Sequence, residues 1–300
     1  MKKISVIIPS YNSAQTIEHT LVALQNQSRP DLLAEIIIVD SSDDNQTKQI
    51  LSRWESPANR VINSGAKVMP ALSRNIGAAQ ATGEILAFID SDAYPERGWI
   101  ENILGTYVRG HSIGGGSVEM CIEQENKFIP LAQYFLQFNE FMPSNPETAK
   151  RFVPTVNMFC EKELFERIGG FPSIRASEDV LFGLRANSFS KVWFTPGIKI
   201  FHIFREDIKG FLKNQMLLGK YIIIYRRQEK NDAFYYKGLC QILFFPGFLM
   251  IKLFNITIRI FKAGPRLVIK YFRSLPFFLL GLLFWSIGFI QGAVAHNEAE

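Results

Sequence analysis

Two aspartates with one residue between them follow a strongly apolar stretch near residue 90. The run "EILAFI" leads directly into Asp90, Ser91 and Asp92. Side chains alternate faces along a strand, so both aspartates would point the same way at its end. Adjacent carboxylates repel each other unless a cation or sugar hydroxyls lie between them, and Mg²⁺ or Mn²⁺ prefers oxygen ligands. The pair predicts a divalent-metal site or, as the alternative, a solvated acidic turn.

Similar apolar runs, rich in β-branched residues, precede other polar residues. "ISVIIP" is followed by Ser10, Tyr11 and Asn12, and "AEIIIVD" ends in Asp40. Patterns typical of helices separate these runs, which predicts a parallel α/β sheet with right-handed crossovers. Ligands bind at the carboxyl ends of the strands in such sheets. We therefore expect these polar residues and the two aspartates to line one crevice.

The pattern changes after residue 110. "SIGGGSVEM" predicts a strand, "FIPLAQYFLQFNEFM" an aromatic helix or loop, and "CEKELFERIGGF" a helix that ends at Gly169–Gly170. Ser177 followed by two acids predicts a helix N-terminus with Ser177 as its cap. "KVWFTPGIKIFH" predicts a pair of strands interrupted at Pro196–Gly197.

The last third of the chain is basic and apolar. Residues 201–300 contain 14 Lys and Arg against 6 Asp and Glu, whereas residues 1–200 contain 19 against 22. An amphipathic helix or linker is expected at 206–237 and a membrane region at 238–300. Within it, 239–258 is expected to be re-entrant or spanning, and the uncharged 275–294 to be transmembrane. A buried core helix is the alternative for this last stretch.

Composition also indicates the partners and the compartment. Cations mixed with so much Phe, Leu and Ile favour an anionic membrane surface and argue against nucleic acid. The three cysteines lack metal-site spacing and are expected to be reduced thiols. No signal peptide is visible, because the apolar run after the first residues is short and ends at Pro9.

With these motifs in order, residues 4–202 resemble the family 2 glycosyltransferases, which have the GT-A fold. The likeness lies in "SVIIPSYNS", "IIIVDSSDD", "SRNIGAAQATGEILAFIDSDAYP", "IGGF", "SEDVLFGLR" and "PGIKIFH". It implies an α/β, mainly parallel GT-A catalytic domain over residues 1–205. It also implies a nucleotide-diphosphate sugar as donor, usually a UDP-sugar in this family.

The resemblance implies roles for four donor-side residues. Pro9 and Tyr11 would flank the nucleobase, and Asp40 would accept a hydrogen bond from its N–H edge, as an acceptor-only carboxylate can. Arg74 would lie near the diphosphate, where a guanidinium offsets negative charge. The alternatives are a helix cap or solvated turn for Asp40 and an ordinary exposed position for Arg74.

It implies a metal site and a catalytic base as well. Asp92 would ligate Mg²⁺ or Mn²⁺, with Asp90 nearer the ribose and His202 completing the site as in some relatives. Asp179 would take the proton of the attacking acceptor hydroxyl, with Glu178 as its neighbour or as an acceptor contact. A structural histidine and simple acids at a helix N-terminus are the alternatives.

The sequence departs from the family pattern in two places. It lacks the Gln-x-x-Arg-Trp motif of processive synthases, which favours transfer of a single sugar. It also has "GGFPS" where Gly-Gly-Phe-Asp-Glu is common, so the resemblance does not carry over the acceptor contacts usually attributed to those acids. The expected activity is inverting transfer to a lipid-linked or membrane-proximal saccharide acceptor in cell-envelope glycan synthesis. The alternatives are an inactive membrane scaffold and a nucleotidyltransferase, although the latter normally has a glycine-rich basic loop after its first strand.

Charge predicts the topology. The stretch 259–273 between the two apolar segments carries five cations and no acid, and short loops this basic stay cytoplasmic. The catalytic domain is expected to face the cytoplasm at the inner membrane, where nucleotide sugars are made. Segment 239–258 would then be re-entrant and 275–294 would cross once; two spans with a cytoplasmic tail are the alternative.

Overall fold

The computed structural model describes residues 2–229 and 239–294. The chain divides into two compact units. The first unit contains Met1–Glu119 and Pro143–Ile203, and the second contains Met120–Met142 and Phe204–Glu300. The first unit ends within two residues of the predicted boundary at 205. Segment 120–142 was predicted inside the catalytic domain but packs with the C-terminal helices.

The first unit is built around one sheet. Its described strands are β1 (Ile4–Ser10), β2 (Leu33–Asp40), β3 (Asn59–Asn63), β4 (Ile85–Ile89), β5 (Ala93–Pro95), β6 (Ile113–Met120), β7 (Thr148–Lys150), β8 (Asn157–Glu161) and β9 (Val192–His202). They lie in the order β3-β2-β1-β4-β8-β6-β9-β5, and β7 pairs with β9. Strands β1 to β4 are parallel, whereas β8 joins β4 in antiparallel orientation. The predicted parallel arrangement is therefore confirmed for β1 to β4. The pairs β4–β8, β6–β8, β5–β9 and β7–β9 are antiparallel, so the sheet is mixed rather than mainly parallel.

The helices of the first unit are α1 (Ile17–Gln25), α2 (Asn45–Trp54), α3 (Pro70–Gln80), α4 (Trp99–Val108), α6 (Lys162–Ile168) and α7 (Glu178–Ala186). Local chemistry sets their starts. The side chain of Asp44 caps α2 by accepting a hydrogen bond from Thr47 N at 2.6 Å. Pro70 begins α3, where its missing N–H costs no helical hydrogen bond. Gly169 ends α6 at φ 89°, as the Gly-Gly pair predicted.

Two local predictions for this unit were wrong. Strand β9 is continuous through Pro196, because the proline lies between the part that pairs with β7 and the part that pairs with β5. Ser177 precedes α7 in the left-handed region at φ 67°, and its side chain makes no cap hydrogen bond. The helix nevertheless begins at Glu178, where it was expected.

The second unit is helical in its described residues. It contains α5 (Phe128–Phe138), α8 (Ile208–Glu229), α9 (Leu239–Lys262) and α10 (Pro265–Val294). Pro246 lies inside α9 without ending it, although a proline inside a helix removes a backbone hydrogen bond and usually kinks or breaks the helix. The predicted basic loop is mostly helix, since only Ala263 and Gly264 separate α9 from α10.

Two helices of this unit, Ile242–Lys262 and Pro265–Val294, are long and apolar enough to cross a membrane. The predicted amphipathic segment 206–237 is helical up to Glu229, and the rest of it lies outside the described residues. Whether 275–294 crosses once remains a prediction.

Candidate active site

The carboxyl ends of β2, β1 and β4 bring the predicted donor-side residues to one edge of the sheet. Ser10 and Asp40 end neighbouring strands in register, and Ser10 Oγ donates a hydrogen bond to Asp40 Oδ1 at 2.9 Å. The same carboxylate oxygen accepts from Ser42 Oγ at 2.6 Å. Asp40 is 3% exposed. These bonds fix the carboxylate at the strand end, where an N–H edge of a bound base could reach it.

Tyr11 lies beside this edge with more than a third of its surface exposed. Its hydroxyl donates to Asp43 Oδ2 at 3.1 Å, and Lys67 Nζ lies 3.8 Å from the centre of its ring. Asn12 Nδ2 also donates to Asp43 Oδ1 at 2.6 Å, and these hydrogen bonds lower the pKa of Asp43. Pro9 is half-buried within β1. Asp43 and Lys67 were missed, although Asp43 stands in the quoted "IIIVDSSDD".

Arg74 joins two of the predicted acidic motifs. From α3 its guanidinium donates to Asp90 Oδ1 at 2.5 Å and to Glu178 Oε1 at 2.9 Å. Its side chain is 3% exposed, which rules out the alternative of an ordinary exposed arginine. Among the described residues, its Nε has no hydrogen-bond partner. The two carboxylates are thus held on either side of one cation, and the diphosphate contact remains a prediction.

Asp179 follows Glu178 in the first turn of α7 and is partly buried. Burial raises its pKa to about 7, and the negative charge of Glu178 adds to the shift. A hydrogen bond from Val180 N to Oδ1 at 2.8 Å and the charge of Arg74 oppose it. A carboxylate with a pKa near neutrality can both take and release a proton at physiological pH.

Asp92 and His202 are brought together by the pairing of β5 with β9. Ala93 is opposite His202 in the register, and Ile203 N donates to Asp92 O at 2.8 Å. The Nε2 of His202 lies 3.6 Å from Asp92 Oδ1. A Mg²⁺ or Mn²⁺ ion with ligands at about 2.1 Å holds neighbouring ligand atoms about 3 Å apart, so this pair fits a shared ion.

Carboxylate oxygen is a ligand that Mg²⁺ and Mn²⁺ prefer, and neutral imidazole is a common metal ligand in proteins. No group of three His, Cys, Asp or Glu that could hold a metal is found in the part of the chain described. Asp90 is instead paired with Arg74. Within the described residues, Asp92 and His202 could supply protein ligands without rearrangement, with water and diphosphate as the remaining ligands, as is common for Mg²⁺.

Asn75, in the motif "SRN", positions the turn at Gly170–Phe171, in the motif "IGGF". Nothing in the sequence connects these two motifs. Its Nδ2 donates to Phe171 O and its Oδ1 accepts from Phe171 N, both at 2.9 Å. Gly170, at φ 71°, could not carry a Cβ without crowding Asn75 Oδ1. The turn leads into the segment before Glu178. "SRN" and "IGGF" are both recognisable in the sequence, but a contact across 96 residues has no local signal.

The family model named glycosyl transferase family 2 matches residues 5–169. The chain belongs to this family. Glycosyltransferase AglE of Haloferax volcanii is 28% identical over 173 residues, which cover 57% of this chain and 56% of that protein. The GalNAc(5)-diNAcBac-PP-undecaprenol beta-1,3-glucosyltransferase of Campylobacter jejuni is 34% identical over 95 residues, 31% of this chain and 30% of that protein. The chain thus matches about half, or less, of the length of these relatives.

Among solved structures, the mannosyltransferase PcManGT of Pyrobaculum calidifontis, in complex with GDP-Man and Mn²⁺, superposes with a TM-score of 0.64. The match has 18% sequence identity and covers 96% of this chain and 87% of that one. At this identity the likeness establishes the fold alone, and it confirms the predicted GT-A architecture.

Proposed function

We propose that this family 2 member transfers a single sugar, with inversion, from a nucleotide-diphosphate sugar to a lipid-linked or membrane-proximal saccharide acceptor. The observation that carries the proposal is Asp179. Its partly buried carboxyl, with a pKa of about 7, lies in the first turn of α7, and Arg74 ties this turn to Asp90 through Glu178. Such a group can accept a proton from an attacking hydroxyl under cellular conditions.

The donor end of the site suits a nucleoside diphosphate, and we infer a UDP-sugar. Asp40 offers carboxylate oxygen at the strand edge, and uracil has an N–H donor to meet it. Tyr11 and Pro9 lie at the same strand end and supply apolar surface for the flat base. Arg74 holds Asp90 and Glu178 in place, and its positive charge would also offset that of a nearby diphosphate.

We propose that Asp92 and His202 hold Mg²⁺ or Mn²⁺, with Asp90 completing the donor side. The ion would neutralise charge on the leaving diphosphate. The 3.6 Å spacing between the aspartate and the imidazole supports this assignment. Solved neighbours of the same fold include one crystallised with Mn²⁺.

On the acceptor side, Asp179 would accept the proton as the acceptor oxygen attacks the anomeric carbon. The bond from that carbon to the diphosphate oxygen breaks as the new glycosidic bond forms on the opposite face. Glu178 accepts the hydrogen bond from Arg74 and keeps the first turn of α7 in place. As positive charge develops on the attacking oxygen of the sugar acceptor, Asp179 takes its proton, and the pKa of Asp179 is matched to this transfer.

Two observations favour a lipid-linked acceptor: the apolar helices of the second unit and the name of one relative in the family. The Campylobacter jejuni relative is named for transfer to an undecaprenol-linked glycan. The two long apolar helices would keep this chain at the membrane, with the catalytic unit in the cytoplasm, where nucleotide sugars are available. Without the motif of processive synthases, one transfer per acceptor is expected.

The test is a donor screen. Purified full-length protein in lipid nanodiscs is incubated with UDP- and GDP-sugars, a lipid extract and Mn²⁺, and products are identified by mass spectrometry. One added hexose-type residue on a lipid, lost in Asp179→Asn, supports the proposal. Neither transfer nor donor hydrolysis with any sugar nucleotide would instead favour a catalytically inactive scaffold.

A further inference from the structure

Helices α8 and α10 of the second unit meet backbone to backbone. A Cβ built on Gly288 of α10 would overlap the carbonyl oxygen of Met216 on α8, and one on Gly219 of α8 would overlap the carbonyl oxygen of Trp285. Only glycine permits so close an approach. The two helices are therefore fastened to each other and must share one position relative to any membrane.

The contacts also give the relative direction of the two helices. Phe211 lies against Gly281, Met216 against Gly288 and Lys220 against Gly292. Residue numbers rise together, so α8 runs parallel to the second half of α10. The level of each α8 residue along α10 follows from this register.

This register places a charge beside the middle of the apolar stretch. Residues 274–294 of α10 carry no charge and extend for about 31 Å, close to the thickness of a bilayer's hydrocarbon core. Their midpoint is Phe284. Lys213, which lies between Phe211 and Met216, is at this level, and its side chain is exposed. A crossing α10 would thus hold an exposed lysine at the centre of the bilayer, where charge is costly.

The apolar surface lies on the other side of α10. Its exposed large apolar residues recur at three- and four-residue spacing, which places them on one stripe: Leu279, Leu283, Ile287, Ile290 and Val294. The residues that face α8, including Gly281 and Gly288, lie about half a helical turn away from this stripe. The lysine-bearing helix and the apolar stripe therefore occupy opposite sides of α10.

Helix α9 has an apolar outer stripe of its own, formed by Leu243, Met250, Phe254 and Phe261. Its single mid-helix cation is turned inward, with Lys252 Nζ 4.5 Å from the centre of a Trp285 ring. The outer stripes of α9 and α10 are thus free of charge.

The turn between α9 and α10 supplies charge that matches lipid headgroups. Residues 239–294 contain six Lys and Arg and no acid. Arg259 pairs with Glu140 at 3.1 Å and Lys270 with Glu125 at 3.0 Å. Lys262 and Arg266 are exposed and form no ion pair within the described ranges.

We propose that the second unit lies along one leaflet of an anionic bilayer without crossing it. The outer stripes of α9 and α10 enter the leaflet, Lys262 and Arg266 meet anionic headgroups, and α8 remains on the aqueous side. This placement rests on the membrane association proposed above. It differs from the single crossing expected from sequence, in which α10 runs along the bilayer normal.

The experiment measures depth along α10. Full-length protein with its three cysteines replaced carries a single bimane-labelled cysteine at Leu279, Leu283 or Ile290, all exposed and thus tolerant of substitution. On vesicles containing phosphatidylglycerol, quenching by lipids brominated at different acyl positions reports depth. Equal, shallow depths at the three positions are expected. A maximum at Leu283 at the bilayer centre would overturn the proposal.

A second measurement uses α8. In the same vesicles, Lys213→Cys is expected to react with a water-soluble maleimide as fast as exposed Val108→Cys of the first unit, whereas a tenfold or larger slowing would show that α8 is inserted. Circular dichroism confirms that each variant is folded. Failure of the unlabelled protein to sediment with vesicles would reject membrane association itself. Sugar transfer to a water-soluble acceptor tests the catalytic proposal separately.

Discussion

Asn has nearly the shape of Asp but cannot accept a proton, so Asp179→Asn separates base catalysis from folding. We expect the variant to lose ~10²–10⁴ in kcat, the usual contribution of a general base. Its KM for the donor should change little, since the residue acts on the acceptor. Steady-state transfer assays measure both. Glu178→Gln, the matched variant, should retain more activity; the opposite ranking would exchange the roles of the pair.

The raised pKa of Asp179 also predicts how stability depends on pH. The native state holds this proton up to about pH 7, whereas an unfolded aspartate releases it near pH 4. Stability contributed by this group is present below pH 4 and is lost as the pH rises to about 7. The free energy of unfolding of Asp179→Asn should therefore rise relative to that of the wild type from pH 4 to 7. Above pH 7 the difference should stay constant. Urea unfolding at several pH values measures it, and a constant difference would contradict the shift.

Metal dependence is the third prediction at the level of residues. EDTA should abolish transfer and Mn²⁺ or Mg²⁺ should restore it, because the leaving diphosphate needs charge neutralisation. Loss of one of two protein ligands in His202→Ala should weaken Mn²⁺ binding at least tenfold, as measured by electron paramagnetic resonance of free Mn²⁺. The control is His111→Ala, since the wild-type His111 ring stacks on Trp193. Full activity in chelator would reject the metal site.

Among the elements, the contact between α8 and α10 is the most sensitive to a single methyl group. Gly288→Ala should be destabilising by about 1–3 kcal/mol, since the added Cβ overlaps the Met216 carbonyl and the helices must separate. Gly247→Ala in α9 is the matched control. Nothing lies within 4 Å of its Cβ position, so alanine should stabilise by about 0.5–1 kcal/mol. Thermal unfolding in detergent compares them, and equal melting temperatures would contradict the close packing.

Elements whose signal is local could be predicted from the sequence. Strands β1, β2 and β4 are continuous β-branched or apolar runs, and each ends where a polar residue follows. Prolines were less reliable as a sign that a strand or helix ends. Pro196 sits where β9 changes partner on one edge, and Pro246 lies within α9, so neither proline ends its element. The charge pattern also gave a wrong prediction. The basic stretch 259–273 has the composition of a loop, but it forms the end of α9 and the start of α10.

Contacts between distant residues could not be predicted. Arg74 pairs with Glu178 across 104 residues, and nothing in "SRN" indicates that its guanidinium is buried between two carboxylates. The same holds for α5, whose aromatic residues pack against α10: Phe135 and Tyr271 meet edge to face at 5.6 Å. An aromatic helix predicts burial but not its partner, so segment 120–142 was placed with the catalytic residues.

At the scale of the whole molecule, charge is unevenly divided along the chain. Residues 1–200 have a balance of −3, from 19 cations and 22 acids, whereas residues 201–300 have +8, from 14 and 6. An anionic membrane would attract the last third and repel the first part weakly. The last third of the chain would therefore be the part that such a membrane attracts.

The position of the charges, and not only their number, should then decide binding. Neutralising Lys262 and Arg266 together with glutamine should weaken binding to phosphatidylglycerol vesicles about 30-fold, at roughly 1 kcal/mol for each cation near the surface. The double variant Lys209→Gln/Lys213→Gln removes the same charge from exposed positions on α8, which we place in water, and should weaken binding less than threefold. Vesicle co-sedimentation at 0.1 M salt measures both, with neutral phosphatidylcholine vesicles as the reference. Equal losses in the two double variants would mean that only net charge matters, and that the turn between α9 and α10 does not face the lipid.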